Sequence, residues 1–269
     1  MARLFLLLLT LGLAAPALAE DSRLELLQSR DAARDWTGVG RLDIAGKGFC
    51  TAALISDTEV LTAAHCLFDR DGTPVSPDRI TFSAGYRDGR PVTARGIRRV
   101  APHPGFVPNE ADAAQSSGND IALIELQSPI GAAQVSPFPI GAPPRRDGSV
   151  GVVSYAVERA EAPSLQELCG VLETYGPAMI LSCEVNFGAS GAPVFSLASG
   201  HAQIVGVVTA KANLGEDRVS LSAAAAPSLT TLRAELGRQA TDRLNVSSQV
   251  RVIRPGERNG DIGAKFLRP

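Results

Sequence analysis

The chain has 269 residues, with 26 Lys and Arg against 28 Asp and Glu and a formal net charge of −2. A balance this near to neutral speaks against a nucleic-acid partner, which needs a strongly basic surface. Aromatic residues are only 5% of the chain, whereas 26 Gly and 18 Pro supply frequent turns, a composition ordinary for a globular protein of many short elements.

Residues 1–19 read as an export signal. Arg3 gives the positive start, residues 4–15 are apolar, and Ala17-Leu18-Ala19 is a small-residue cleavage pattern before Glu20. The apolar run is too short to span a bilayer and no later run is long enough, so no membrane anchor is expected. The expected location is secreted or periplasmic, and about 250 residues remain, enough for one large all-β unit or two small ones. Residues 20–34 form an N-terminal arm; over 22–34 a short helical arm and a pro-segment both stand open.

A run of short strands follows. The first group is expected over 49–55, 59–63, 79–83, 92–100 and 121–126. The second is expected over 150–155, 168–172, 179–183, 193–197, 203–209 and 218–223. Many short strands between turn residues indicate a sandwich or barrels. Arg87, Arg90, Arg95, Arg98 and Arg99 cluster within the first group and read as a solvated strand and loop face. Pro137, Pro139, Pro143 and Pro144 stiffen the connector between the groups, which places a boundary near 137–147. One helix is expected late, capped by Ser228, carrying Leu229, Leu232 and Leu236 at helical spacing, and ended by Gly237. Residues 241–269 form a basic tail with no assigned role. Asn245-Val246-Ser247 matches a glycosylation sequon, a pattern frequent by chance.

Four cysteines, Cys50, Cys66, Cys169 and Cys183, remain after export. An even number in an exported chain suggests two disulfides. Three pairings are open; the nearest-neighbour scheme closes two loops of similar size, each worth roughly 3 kcal/mol in the chain-entropy model. A zinc site is disfavoured because no Cys-x-x-Cys pair is present. No metal or organic cofactor is expected.

Three stretches carry chemistry. Leu61-Thr62-Ala63-Ala64-His65-Cys66 offers a base, Gly118-Asn119-Asp120-Ile121 a carboxylate, and Gly188-Ala189-Ser190-Gly191 a hydroxyl on a glycine-flanked turn. Each alone has a bland reading: a packed histidine, a strand-entry Asp, a solvated turn Ser. Together, in this order, they are the parts of acyl-transfer catalysis. His103 and His201 lack such surroundings and read as loop residues, and Asp112 is the one nearby rival to Asp120.

With Phe49-Cys50-Thr51-Ala52-Ala53-Leu54-Ile55 and His103-Pro104-Gly105-Phe106, these stretches resemble the chymotrypsin-like (trypsin-fold) serine peptidases. The likeness is closest to the bacterial secreted branch that includes glutamyl endopeptidases, and it runs over about 36–236. The resemblance implies an all-β fold of two Greek-key barrels with a C-terminal helix over 35–240. It implies His65, Asp120 and Ser190 as catalytic residues, an oxyanion hole from the Gly188 and Ser190 amides, and a disulfide joining Cys50 to Cys66. The substrate would be a polypeptide and the enzyme a monomeric secreted serine endopeptidase. The alternatives are a catalytically weak relative that binds peptides or protein partners, and an esterase on the same triad.

One departure is visible. Many members carry Asp immediately before the serine, pairing with a freed N-terminus; here Ala189 stands there, so activation by a new N-terminus is not expected. By alignment with the family, Glu184 lies at the base of the specificity pocket, with Val208, Thr209, Ala210 and Lys211 on the opposite wall. Glu184, Thr209 and Lys211 are the expected substrate-binding residues. An acidic base favours basic or small substrate side chains, with the Lys211 ammonium placed to reach Glu184; a histidine usual in glutamyl-specific walls is replaced by Val208.

Overall fold

The computed structural model describes residues 22–110 and 116–247, with side chains to Thr241. The export signal, Asp112, the side chain of Asn245 and the tail beyond 247 lie outside the described residues. None of the described helices is long and apolar enough to cross a membrane.

The arm contributes a two-residue strand, β1 (Glu25–Leu26), then turns over 29–33 into a 3-10 segment, Arg34–Trp36. The first barrel opens with β2 (Val39–Ile44), where Gly40, Leu42 and Ile44 are buried on the barrel face while Arg41 and Asp43 on the other face are half-buried, the two-residue period of a strand; Val39, on that outer face, is buried against the second barrel. β2 pairs with β3 (Gly48–Leu54), and the sheet continues through β4 (Glu59–Thr62), β7 (Ala122–Leu126), β6 (Thr93–Pro102) and β5 (Ile80–Ala84). β5 returns to β2 and closes six strands, so the barrel exposes no unpaired edge.

The second barrel runs β8 (Ser149–Ala156), β9 (Arg159–Tyr175), β10 (Ala178–Leu181), β13 (Asp217–Ala224), β12 (Gln203–Leu214) and β11 (Pro193–Ser196). β11 pairs back with β8. β1 adds to the outside of β9, with Glu25 opposite Leu165 and Leu26 opposite Ser164. Both barrels are antiparallel and the architecture is the expected one.

Each barrel has its own filling, with Leu42, Leu54, Phe82 and Ile124 in the first and Val152, Val171, Leu181 and Val194 in the second. A third apolar layer lies between them. It joins Val39 and Leu61 to Tyr155, Phe195 and Val207, under Leu232 and Leu236 of helix α1 (Ala225–Ser247). The Phe195 ring lies 5.0 Å from Trp36, tilted, and 4.8 Å from Phe138, edge-on. Burying one such side chain is worth about 1.5–3 kcal/mol, so this layer holds barrels and helix together. The connector is tied to both sides: Phe138 N donates to Leu54 O and Gly141 N to Ile204 O, both at 2.9 Å.

The structure corrects several expectations. β2 was not anticipated, because two of its six residues are charged and one is glycine. β9 extends far beyond 168–172, since cross-strand partners in β8, β10 and β1 hold its backbone although many of its residues are polar, Ser164 and Gln166 among them buried. Helix α1 begins at Ala225, directly after β13, so Ser228 is inside the first turn and its hydroxyl donates to Ala224 O at 3.3 Å rather than capping. Gly237 does not end the helix; tertiary docking of Leu232 and Leu236 offsets its cost of about 1 kcal/mol. The helix therefore runs to Ser247, into the stretch expected as tail. The arginine cluster is not merely solvated. Arg99 pairs with Glu125 and donates to Leu236 O, Arg98 donates to Gln127 O, and Arg87 donates to Leu27 O.

Candidate active site

His65 sits in a one-turn 3-10 segment, Ala64–Leu67, immediately after β4. Asp120 follows a second such turn, Ser117–Asn119, at the entry to β7. Because β4 and β7 are neighbours, the two residues meet across 55 positions of sequence. The Asp120 carboxylate takes two bonds from His65: one oxygen accepts from the backbone N–H at 2.8 Å, the other lies 2.7 Å from ring Nδ1. The Asp120 side chain is 9% exposed and the imidazole 36%. A buried carboxylate at Nδ1 fixes the proton there and leaves Nε2 free as the accepting nitrogen.

The serine turn comes from the second barrel and is pinned to the first. Thr51 of β3 donates from its backbone N to Ser190 O and from its hydroxyl to Gly188 O, both at 2.8 Å. The same hydroxyl accepts from Tyr155 N at 3.1 Å. Gly188 and Gly191 have φ of +97° and +77°, a region that favours glycine. Their backbones also approach the first barrel closely. A Cβ at Gly188 would stand 2.5 Å from the Phe49 ring, and one at Gly191 2.1 Å from Thr62 Oγ1 and 2.8 Å from Ala63 N. Ser190 is thus lodged against the stretch that leads into His65. Ser190 Oγ itself makes no hydrogen bond among the described residues. The Gly188 and Ser190 amides likewise donate to nothing among the described residues, while the intervening Ala189 amide donates to Asn186 O at 2.9 Å. Two free amides flanking a hydroxyl form a donor pair suited to a developing oxyanion. Ala189 is fully buried, and its methyl makes no ion pair.

The cysteines pair as Cys50–Cys66 and Cys169–Cys183. The first bond lies beside the imidazole, with Cys66 Sγ 3.9 Å from Nε2. Cys50, His65 and Cys66 cluster tightly enough to suggest a metal, but both sulfurs are consumed by the disulfide and offer no thiolate. His103 is a loop residue: Nδ1 accepts from Gly105 N at 3.2 Å, and burial pushes its pKa down.

A cavity of about 590 Å³ adjoins the serine turn, and Cys183-Glu184-Val185-Asn186 of its lining runs directly into that turn. Glu184 and Lys211 are in its lining, while Thr209 is buried outside it, its hydroxyl without a partner among the described residues. Nor does Lys211 pair with Glu184. Its ammonium bonds Asn186 Oδ1 at 3.2 Å and lies 4.1 Å above the Phe187 ring, since the extended β12 carries it toward the turn. The residue that sequence reading missed here is Arg159, whose side chain is only 9% exposed. It donates to Ser154 O at 2.7 Å, yet its buried Nε has no acceptor, with Glu158 standing 3.7 Å away. Burial pushes the Arg159 pKa down. Thr51 was also missed, although it lies inside a stretch already singled out; its partners are more than 100 positions away.

Residues 46–207, more than half the chain, match the family model described as "Trypsin-like peptidase domain". Human mannan-binding lectin serine protease 1 is 29% identical over 123 residues, 40% of this chain and 17% of that protein. Human serine protease 56 is 30% identical over 95 residues, 35% of this chain and 14% of that protein. The chain thus spans less than a fifth of these curated relatives. A solved structure of Glu endopeptidase in complex with MPD superposes with a TM-score of 0.62 at 16% identity, covering 81% of this chain and 97% of that one.

Proposed function

The chain belongs to the trypsin-like peptidase family, and on that premise we propose that it is a monomeric serine endopeptidase, secreted or periplasmic, acting on polypeptides. The observation that carries this reading is the pair of hydrogen bonds between one buried carboxylate and His65, beside a serine turn with two free amides. Two disulfides support export, because they persist in oxidising compartments.

In this reading Ser190 Oγ attacks the scissile carbonyl carbon while Nε2 of His65 takes its proton. The carbonyl oxygen becomes an oxyanion and accepts from the Gly188 and Ser190 amides. Collapse breaks the C–N bond, and His65 returns the proton to the departing amine, leaving an acyl-enzyme. Water, deprotonated by His65, then attacks the ester and releases Ser190. Asp120 keeps the imidazole in the tautomer that accepts at Nε2 and stabilises the imidazolium. The contact between Ser190 and His65 closes when substrate excludes water, as serine–base contacts commonly do.

The cavity takes the substrate side chain. Arg159, Lys211 and Arg218 outnumber Glu158 and Glu184 in its lining, so the net positive charge of the cavity favours an incoming carboxylate. An acidic side chain before the scissile bond is therefore preferred over a basic one. Arg159→Met is expected to cut the ratio of kcat/KM for a Glu-containing peptide over its Arg-containing partner by at least tenfold; an unchanged ratio refutes the assignment.

The activity itself is tested by labelling with a fluorophosphonate. The mature chain is expected to be labelled stoichiometrically, and Ser190→Ala and His65→Ala are expected to abolish labelling. Folded, disulfide-bonded protein that resists the probe would refute a working nucleophile.

A further inference from the structure

The histidine stretch is held from a second side by a residue outside the triad. Lys47 lies in the turn between β2 and β3, flanked by Gly46 and Gly48 with φ of +78° and +130°. Its own N–H donates to Ile44 O at 3.0 Å. Arg79 fixes the same turn, donating to Ala45 O at 2.7 Å while paired with Asp69 at 2.8 Å. From this rigid base the Lys47 ammonium reaches across to three backbone carbonyls, His65 O at 3.0 Å, Cys66 O at 3.1 Å, and Phe68 O. An ammonium has three N–H donors, and all three are used on the peptide segment that carries His65.

The arrangement has a polarity. The last carbonyls of a helical turn lack partners within it, and a lysine at that end satisfies them; here Cys66 O and Phe68 O are such groups, while His65 O also accepts from Phe68 N at 3.3 Å. The N–H side of the same segment, at His65 N, is met by the Asp120 carboxylate. The peptide units between 65 and 68 thus have an anion on their donor side and a cation on their acceptor side. Each charge favours the same orientation of the peptide dipoles. Lys47 also feels the opposite charges of Asp69 and Asp120 and the like charge of Arg79, and burial pushes its pKa down. An interior group left half-dry with three acceptors is costly to leave unmade.

We propose that Lys47 is a positioning residue for the base: with Asp120 it clamps the His65 backbone from opposite sides, and so sets the aim of Nε2 toward Ser190. This rests on the triad reading above. A generic packing lysine would bury its stem and leave its head in water; here the head is spent wholly on one four-residue segment.

The experiment compares full mature protein with Lys47→Met, Lys47→Gln and Lys47→Arg, using a fluorophosphonate as the probe. Saturation of the labelling rate separates kinact, which reads the nucleophile and base, from KI, which reads binding. The final labelled fraction counts folded sites. Lys47→Met is expected to lower kinact about tenfold, leaving KI within twofold and the final labelled fraction unchanged. Lys47→Arg, which restores a cation with several donors, is expected to recover most of kinact, and Lys47→Gln only part. In parallel, the downfield proton resonance of the His65–Asp120 bond is expected to broaden in the Met variant and return in the Arg variant. Full kinact in Lys47→Met, or a loss explained wholly by a smaller labelled fraction, overturns the clamp. So does an Arg variant as slow as the Met variant. If Lys47→Met does not fold, the Gln and Arg variants give the same comparison. An unlabelled wild-type protein would instead refute the triad reading, and the resonance would still report whether Lys47 orders the histidine.

Discussion

Asp120 does two jobs with two oxygens, and they separate under substitution. Asp120→Asn keeps the size of the group but places an N–H₂ donor where an acceptor is needed, so the imidazole is driven to the tautomer protonated at Nε2. That nitrogen can no longer take the serine proton. A fall in kcat on the order of ten-thousand-fold is expected, with KM little changed; a loss below about tenfold in steady-state hydrolysis would show that the carboxylate does not set the tautomer. Gly188 and Gly191 work differently, through what they lack. Their backbones stand where any side chain would strike Phe49 or Thr62, so the glycines fix how near the two barrels come at the serine.

At the level of elements, the start of the arm is a short edge strand, and its second half turns into the 3-10 segment Arg34–Trp36. Ser22 N and β1 bond β9, and Leu27 is buried at 4% exposure. The arm is therefore part of the barrel wall, and Leu24 also lines the cavity. A chain beginning at residue 35 loses one buried leucine, worth about 2 kcal/mol, together with its strand bonds. It is expected to melt lower by about 5 °C and to show no gain in hydrolysis. A large gain, read by active-site-normalised rate, would mark the arm as an inhibitory pro-segment. Sequence reading had left this open because 22–34 has no clean period of either kind. The same reading found the strands that carry runs of Val, Ile and Leu. It missed β2 and most of β9, whose residues look polar until a barrel wall supplies their partners. His65, Asp120 and Ser190 stood out because each lies in a short local pattern. Lys47, Thr51 and Arg159 did not, because their roles depend on neighbours brought together only by the topology.

The whole molecule is built as two filled barrels with a shared layer between them. That layer includes residues of both barrels and of α1, and the serine turn is bonded across it. Neither barrel can separate without exposing Phe195, Phe138 and Trp36. Unfolding is therefore expected as one cooperative transition. Calorimetric and van't Hoff enthalpies should agree with disulfides intact, whereas two resolved transitions would mean that the shared layer contributes little.

The bond from Thr51 N to Ser190 O has a consequence for timing. His65 and Asp120 are made early and close upon each other within the first barrel, but the serine turn finds its place only after its own barrel has formed and met β3. On the triad reading, a growing chain would carry the His65–Asp120 pair before the serine turn can be seated. On that reading hydrolysis would become possible only once the final strands close, and an unfinished chain could cut neither itself nor its neighbours.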